Sequence, residues 1–157
     1  MTAIDVREAR ASDAARLTEL IIELGHPITE PDVRRNLETL SVGGLLPLVA
    51  EHDGAVIGMC GLSAMTTVHR DAPVGRISVM VVAEAWRGRG VGAQLVAEAW
   101  RGRGVGAQLV AEAELRLAAR GCKIVEVTSN QRRERAHGFY EGLGYERTSF
   151  RFMKKLT

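Results

Sequence analysis

The stretch ISVMVVAEAWRGRGVGAQLV (77–96) decides how this chain folds. Its first six residues are an apolar, β-branched run of strand length. Arg87-Gly88-Arg89-Gly90-Val91-Gly92 follows, and then the start of an apolar helical pattern. Glycines let a backbone turn sharply and approach a ligand closely. A helix start offers several unpaired N–H groups at the positive end of its dipole. A strand, a glycine loop and a helix start in that order form an anion site suited to a pyrophosphate. The arginines add charge-assisted hydrogen bonds.

The string AEAWRGRGVGAQLV at 83–96 recurs unaltered at 97–110. The identity extends from Val82–Ala99 against Val96–Ala113, which reads as a recent or engineered tandem duplication. Two copies are too few and too short for a solenoid. One site needs one loop, so the second loop is surplus. A single helix through both copies would run about 21 Å too long and would hold three glycines in its interior. Inserting the surplus in the strand–helix loop costs less, because loop closure grows slowly with length. Residues 83–96 are therefore expected to bulge out. Arg101, Gly102, Arg103, Gly104, Val105 and Gly106 then form the working loop, with the helix starting near Gly104. The competing arrangement uses Arg87, Gly88, Arg89, Gly90, Val91 and Gly92.

The rest of the chain reads outward from this unit. At 157 residues, 46% of them hydrophobic and 25% charged, it is expected to be one domain over 1–157 with a sizeable core. The net charge of +2 demands neither a nucleic-acid nor a membrane partner. No apolar run is long enough to span a bilayer, and the charged start MTAIDVREAR lacks a leader core, so a cytoplasmic location is expected. Cys60 and Cys122 sit in apolar runs and read as reduced, buried thiols, with no metal site expected.

IDVREAR (4–10) alternates like a strand. Ser12 is expected to cap a helix over 13–24 that Gly25 closes. Thr29, Pro31 and Asp32 mark the start of a second helix through about Leu40. The runs 45–52 and 55–69 flank Asp53-Gly54, a strong hairpin signal. VGRISVMVV (74–82) is a strand, and a helix ends at Gly121. CKIVEVTS (122–129) reads as a strand buried on both faces. RRERAHGFYEGL (132–143) is a helix stopped by Gly144. YERTSFRFMKKL (145–156) reads as a final strand with alternating aromatics. The order predicts a mixed α/β layer fold, with a right-handed crossover from strand 74–82 to strand 122–129.

The Walker pattern is absent, since no Lys-Ser or Lys-Thr follows the glycines, and the dinucleotide pattern G-x-G-x-x-G does not fit. What remains is R-x-x-G-x-G, at Arg87, Gly90, Gly92 and again at Arg101, Gly104, Gly106. With it goes AHGFYEGLGY (136–145), similar to an A-x-x-x-Y-x-x-x-G-[FY] segment. On these two motifs the chain resembles the GNAT superfamily of acetyl-CoA dependent N-acetyltransferases over essentially its whole length.

The resemblance implies an α/β fold with a mixed central sheet, helices on both faces, and a splay between the fourth and fifth strands. It implies acetyl-CoA (coenzyme A) as cosubstrate. Backbone groups of Val81 and Val82 would pair with the pantetheine arm and polarise the thioester carbonyl. The RGRGVG amides would hold the pyrophosphate, and Asn130 could bond to the pantetheine arm. Tyr140 would protonate the departing thiolate. Many members carry a glutamate on the fourth strand as base. Here that stretch reads Arg76-Ile77-Ser78-Val79-Met80, so Glu51, His69 and His137 are the candidates.

Arg132, Arg133 and Arg135 read as a solvated helix face or as partners for a phosphate, and Trp86 and Trp100 as apolar anchors. The expected activity is acetyl transfer to a primary amine of a small molecule by direct attack. The acceptor classes are aminoalkylphosphonates, aminoglycosides, polyamines, amino acids and protein N-termini. The rival is a GNAT-like module that binds acyl-CoA without catalysis, or an enzyme the duplication has disabled. A homodimer built on the strand carrying Phe150 and Phe152 is expected.

Overall fold

The structure, a computed structural model, describes residues 3–86, 104–128 and 134–157. The chain divides into two compact units, Met1–Glu126 and Val127–Thr157. The first carries β1 (Asp5–Glu8), a 3-10 turn (Ala11–Asp13), α1 (Ala14–Leu24), α2 (Glu30–Gly43), β2 (Leu48–His52), β3 (Ala55–Met65) and β4 (Val74–Val82). A second 3-10 turn (Glu84–Trp86) follows, and after it α3 (Val105–Ala119) and β5 (Ile124–Val127). The strands form one sheet in the order β1-β2-β3-β4-β5. β1, β2, β3 and β4 pair antiparallel in succession.

The hairpin between β2 and β3 turns on Asp53 and Gly54, both with positive φ (49° and 78°), as an Asp-Gly turn requires. Further along, Gly61 pairs with Val79 and Leu62 with Ile77, which leaves Ser78 as an extra residue on β4. A bulge of this kind bends the strand and sharpens its twist. Gly61 makes room for it: a Cβ there would lie 2.7 Å from Ser78 Oγ and 2.8 Å from a Val79 methyl.

Helices cover both faces of the sheet. Leu17 and Leu20 of α1 and Val33 and Leu37 of α2 bury against Val49, Met59, Val81 and Ala83. On the other face, α3 buries Val105, Ala107, Leu109, Val110, Ala113 and Leu117. Gly75 lets it come close, since a Cβ there would meet Leu117 at 2.9 Å.

The helix starts follow two routes. Thr29 caps α2 as expected: its hydroxyl accepts from the Asp32 N–H and Pro31 sits in the first turn. At α1 the expected Ser12 cap is replaced by Asp13. The Asp13 carboxylate accepts from the Arg10 N–H at 2.7 Å and from Arg7 at 2.9 and 3.0 Å. Arg7 also donates to Glu51 at 2.8 Å, so one guanidinium ties β1, β2 and the helix start together. A carboxylate can take both charged bonds, which a serine hydroxyl could not match.

Two strand expectations are corrected. β5 is not buried on both faces: Ile124 is 45% exposed and its burial alternates. It is the last strand of the sheet order, and among the described residues no further strand lies beyond it. In the second unit, α4 (Glu134–Gly142) forms and Gly144 takes the left-handed conformation (φ 93°). The segment after it, expected as a strand over 145–156, forms neither strand nor helix. Phe150, Phe152, Met153 and Leu156 are exposed along it. Alternation prepares a segment for a sheet, but a strand exists only where a second backbone takes its hydrogen bonds.

Cys60 is buried and its thiol is pushed up to about 12 by desolvation; Cys122 is half-buried, and neither is in a disulfide. Among the described residues no helix is long and apolar enough to cross a membrane.

Candidate active site

The two copies of the repeat contribute different parts to the first unit. From the first copy come Ala83, Glu84, Ala85 and Trp86, which end β4 and dock. The Ala83 N–H donates to the Ile57 carbonyl at 2.8 Å, and the Glu84 N–H donates to the Glu23 carboxylate at 3.1 Å. The Trp86 ring lies 4.7 Å from that of His52 and packs against the core. From the second copy come Val105 to Val110, the first turns of α3. This corrects the expectation that all of 83–96 leaves the core, because its first four residues are held. The expectation that a helix starts near Gly104 matches α3, which begins at Val105 with Gly104 as its N-cap.

The helix start sits against the end of β4. Gly58 of β3 pairs with Val82 of β4. A Cβ on Gly58 would meet a Val105 methyl at 3.1 Å, the Val81 carbonyl oxygen at 3.2 Å and a Leu109 methyl at 3.3 Å. Val81, Val82 and Val105 are thereby drawn to one place. Val81 and Val105 are buried, while Gly104 is exposed and, among the described residues, nothing lies within 4 Å of where its Cβ would be. The first intrahelical bond runs from the Gln108 N–H to the Gly104 carbonyl at 3.0 Å. A helix start anchored against a strand end is a place where an anion can bind.

Arg101, Gly102, Arg103 and Asn130 lie outside the described residues, as do Arg87, Gly88, Arg89, Gly90, Val91 and Gly92. Tyr140 is on α4 in the second unit, half-buried, with Phe139 and Tyr145 edge-on at 5.1 and 5.9 Å. Its carbonyl accepts from the Tyr145 N–H at 3.0 Å, which closes the helix end. His137 is half-buried on the same helix.

The remaining base candidates are on β2 and in the turn after β3. Glu51 is held by Arg7, and its carboxylate serves the β1–β2 contact. His69 is exposed in the turn after β3. A carboxylate that sequence reasoning passed over does reach β4: Glu126 of β5 stands 3.8 Å from Arg76 Nε. Nothing in the local sequence marks it, since the relation depends on β5 lying beside β4.

The acetyltransferase (GNAT) family profile matches residues 14–99, and a second GNAT acetyltransferase domain profile matches 95–147. The two matches overlap only within the repeated segment. An aminoalkylphosphonate N-acetyltransferase of Salmonella typhimurium is 32% identical over 160 residues, spanning 99% of this chain and 94% of that protein. Among solved structures, an aminoglycoside N-acetyltransferase in complex with CoA superposes with a TM-score of 0.78 at 21% identity, covering 100% of this chain and 97% of the other. Glucosamine-6-phosphate N-acetyltransferase from Arabidopsis thaliana gives 0.77 at 20% identity, covering 99% of both chains. With a family profile over more than half its length and a full-length relative, the chain belongs to the GNAT acetyltransferase family.

Proposed function

We propose that the protein transfers the acetyl group of acetyl-CoA to the primary amine of a small molecule, by direct attack and without an acyl-enzyme. The observation that carries this reading is the helix start at Gly104–Val105, docked against the end of β4 by Gly58. The amides of Val105, Gly106 and Ala107 hold the pyrophosphate, with Arg101 to Arg103 supplying positive charge. The backbone at Val81 and Val82 takes the pantetheine arm and polarises the thioester carbonyl, and Asn130 bonds to the arm. Acetyl-CoA brings the activated thioester; the chain orients it. The amine nitrogen forms the new C–N bond as the C–S bond breaks, and the Tyr140 hydroxyl gives its proton to the departing sulfur.

A small amine is supported by the full-length likeness to an aminoalkylphosphonate N-acetyltransferase, and aminoalkylphosphonates head the acceptor classes. The amine reaches its reactive, neutral form through a base, for which His137, His69 and Glu51 are the candidates. A cytoplasmic location and a tandem duplication as the origin of the repeat belong to the same reading. So does a homodimer, supported by the exposed Phe150, Phe152 and Leu156. A monomeric mass by light scattering at micromolar concentration counts against the dimer.

The test is release of free thiol from acetyl-CoA across a panel of aminoalkylphosphonates, aminoglycosides, polyamines and amino acids. Amine-dependent thiol release with a matching N-acetyl product supports the reading. Coenzyme binding without turnover on any amine supports the non-catalytic module instead.

A further inference from the structure

We propose that Gly58 is a positioning residue, a spacer that sets the distance between the strand end holding the pantetheine arm and the helix start holding the pyrophosphate. The inference rests on the acetyltransferase reading above.

Gly58 sits in the middle of β3, where glycine has no local conformational purpose: its φ is not in the left-handed region. A glycine inside a strand weakens it and often marks a place where another group comes close. Here two groups do. One is the Val81 carbonyl oxygen of β4; the others are side chains of Val105 and Leu109, the first and fifth residues of α3. All three lie 3.1–3.3 Å from the missing Cβ, tighter than a methyl group ordinarily accepts. The strand carbonyl is fixed by the sheet, so the helix must yield if position 58 gains a side chain. Its start then lifts away from β4 while remaining a helix start.

That displacement has a specific consequence for a ligand with two anchoring ends. Each end still finds its own partners, but both can no longer be met at once without strain. Joining two binding groups raises affinity only when the spacing of their sites matches the link. Small misplacements of this kind are also costly in rate. A glycine that served stability alone would have no such signature.

The experiment compares wild type, Gly58→Ala, Gly58→Val and the double variant Gly58→Ala with Val105→Ala. Calorimetric titration is done with coenzyme A and, separately, with adenosine 3′-phosphate 5′-diphosphate, which carries the nucleotide and diphosphate without the pantetheine arm. Thermal melting establishes that each variant is folded. The expected result is a tenfold or greater loss of coenzyme A affinity in Gly58→Val and a smaller loss in Gly58→Ala. The nucleotide alone should bind all folded variants within about twofold, and Val105→Ala should restore the coenzyme A affinity of Gly58→Ala. Equal losses for both ligands, or no loss for either, overturns the spacer role. If Gly58→Val does not fold, Gly58→Ala and its Val105→Ala rescue decide alone: a loss without rescue overturns the proposal. If the wild type binds neither ligand, the acetyltransferase reading fails and the spacer role fails with it.

Discussion

At the scale of single residues, Asp13 shows how much one carboxylate can join. It starts α1, receives two bonds from Arg7, and through Arg7 is linked to Glu51 on β2. The Arg7 hydrogen bonds hold its carboxyl below the usual carboxylate range, against the opposing effect of burial. A lowered folded-state value means stability that is fully present above the ordinary range, near 3.9 or so, and lost as pH falls through the lowered value. Asp13→Asn should cost on the order of 2 kcal/mol near neutral pH, the scale of hydrogen bonds to a charged group. Its deficit relative to wild type should shrink as denaturation is followed into acid. A deficit that stays constant from pH 7 to 2 speaks against the linkage.

Tyr140 makes the complementary case for chemistry. Tyr140→Phe removes only the hydroxyl and keeps the ring between Phe139 and Tyr145. Coenzyme binding should be unchanged and turnover should fall about tenfold or more, the contribution of one proton-transfer group. Unchanged turnover at saturating substrates removes Tyr140 from the acid role.

Some residues are readable from their neighbours alone. Thr29, Pro31 and Asp32 form a cap within four positions, and Gly25, Gly121 and Gly144 all adopt the left-handed conformation their helix ends require. Asp13 was not readable, because Glu51 reaches it through Arg7 from a strand far along the chain. Gly58, Gly61 and Gly75 stand out as glycines inside or at the start of strands, but what crowds them belongs to other elements.

At the scale of elements, α3 carries the most weight for the site. Leu109 is fully buried in it. Leu109→Ala should destabilise the protein by about 2–5 kcal/mol, read by chemical denaturation. Leu95 is the same residue in the other copy, so Leu95→Ala is its control. A larger loss at Leu95 than at Leu109 means that the docked helix is built from the first copy, contrary to the fold described here. Strands β2, β3 and β4 were legible because their alternation and turn residues agree. The segment 145–156 was misread because alternation was its only strand signal; no turn residue or pairing partner accompanied it. β5 was misread in burial because an apolar string does not reveal how many layers cover it.

At the scale of the whole molecule, the repeat is used in parts. Trp86 and Val105 are both packed into the first unit, and 18 residues (87–104) separate them, whereas four separate Trp86 from Val91 within one copy. The sheet and α3 are thus accommodated without a helix too long for its place. Residues 87–103, which lie between them in the chain, are outside the described residues. The family was legible because R-x-x-G-x-G follows an apolar strand. Which copy of the loop would serve was not legible, since the two are chemically identical.

The central claim is that coenzyme A is held at the helix start at Gly104. Gly104→Glu tests it cleanly. Its backbone (φ −68°) suits any residue and, among the described residues, nothing lies within 4 Å of the new Cβ, so the fold should be kept. A carboxylate is even favourable for a helix at this end, yet it competes directly with a bound pyrophosphate. Calorimetric titration of coenzyme A into wild type, Gly104→Glu and Gly90→Glu is the decisive measurement. Binding by wild type and Gly90→Glu, with binding lost in a folded Gly104→Glu, is the predicted result. Binding retained by Gly104→Glu and lost in Gly90→Glu would contradict it.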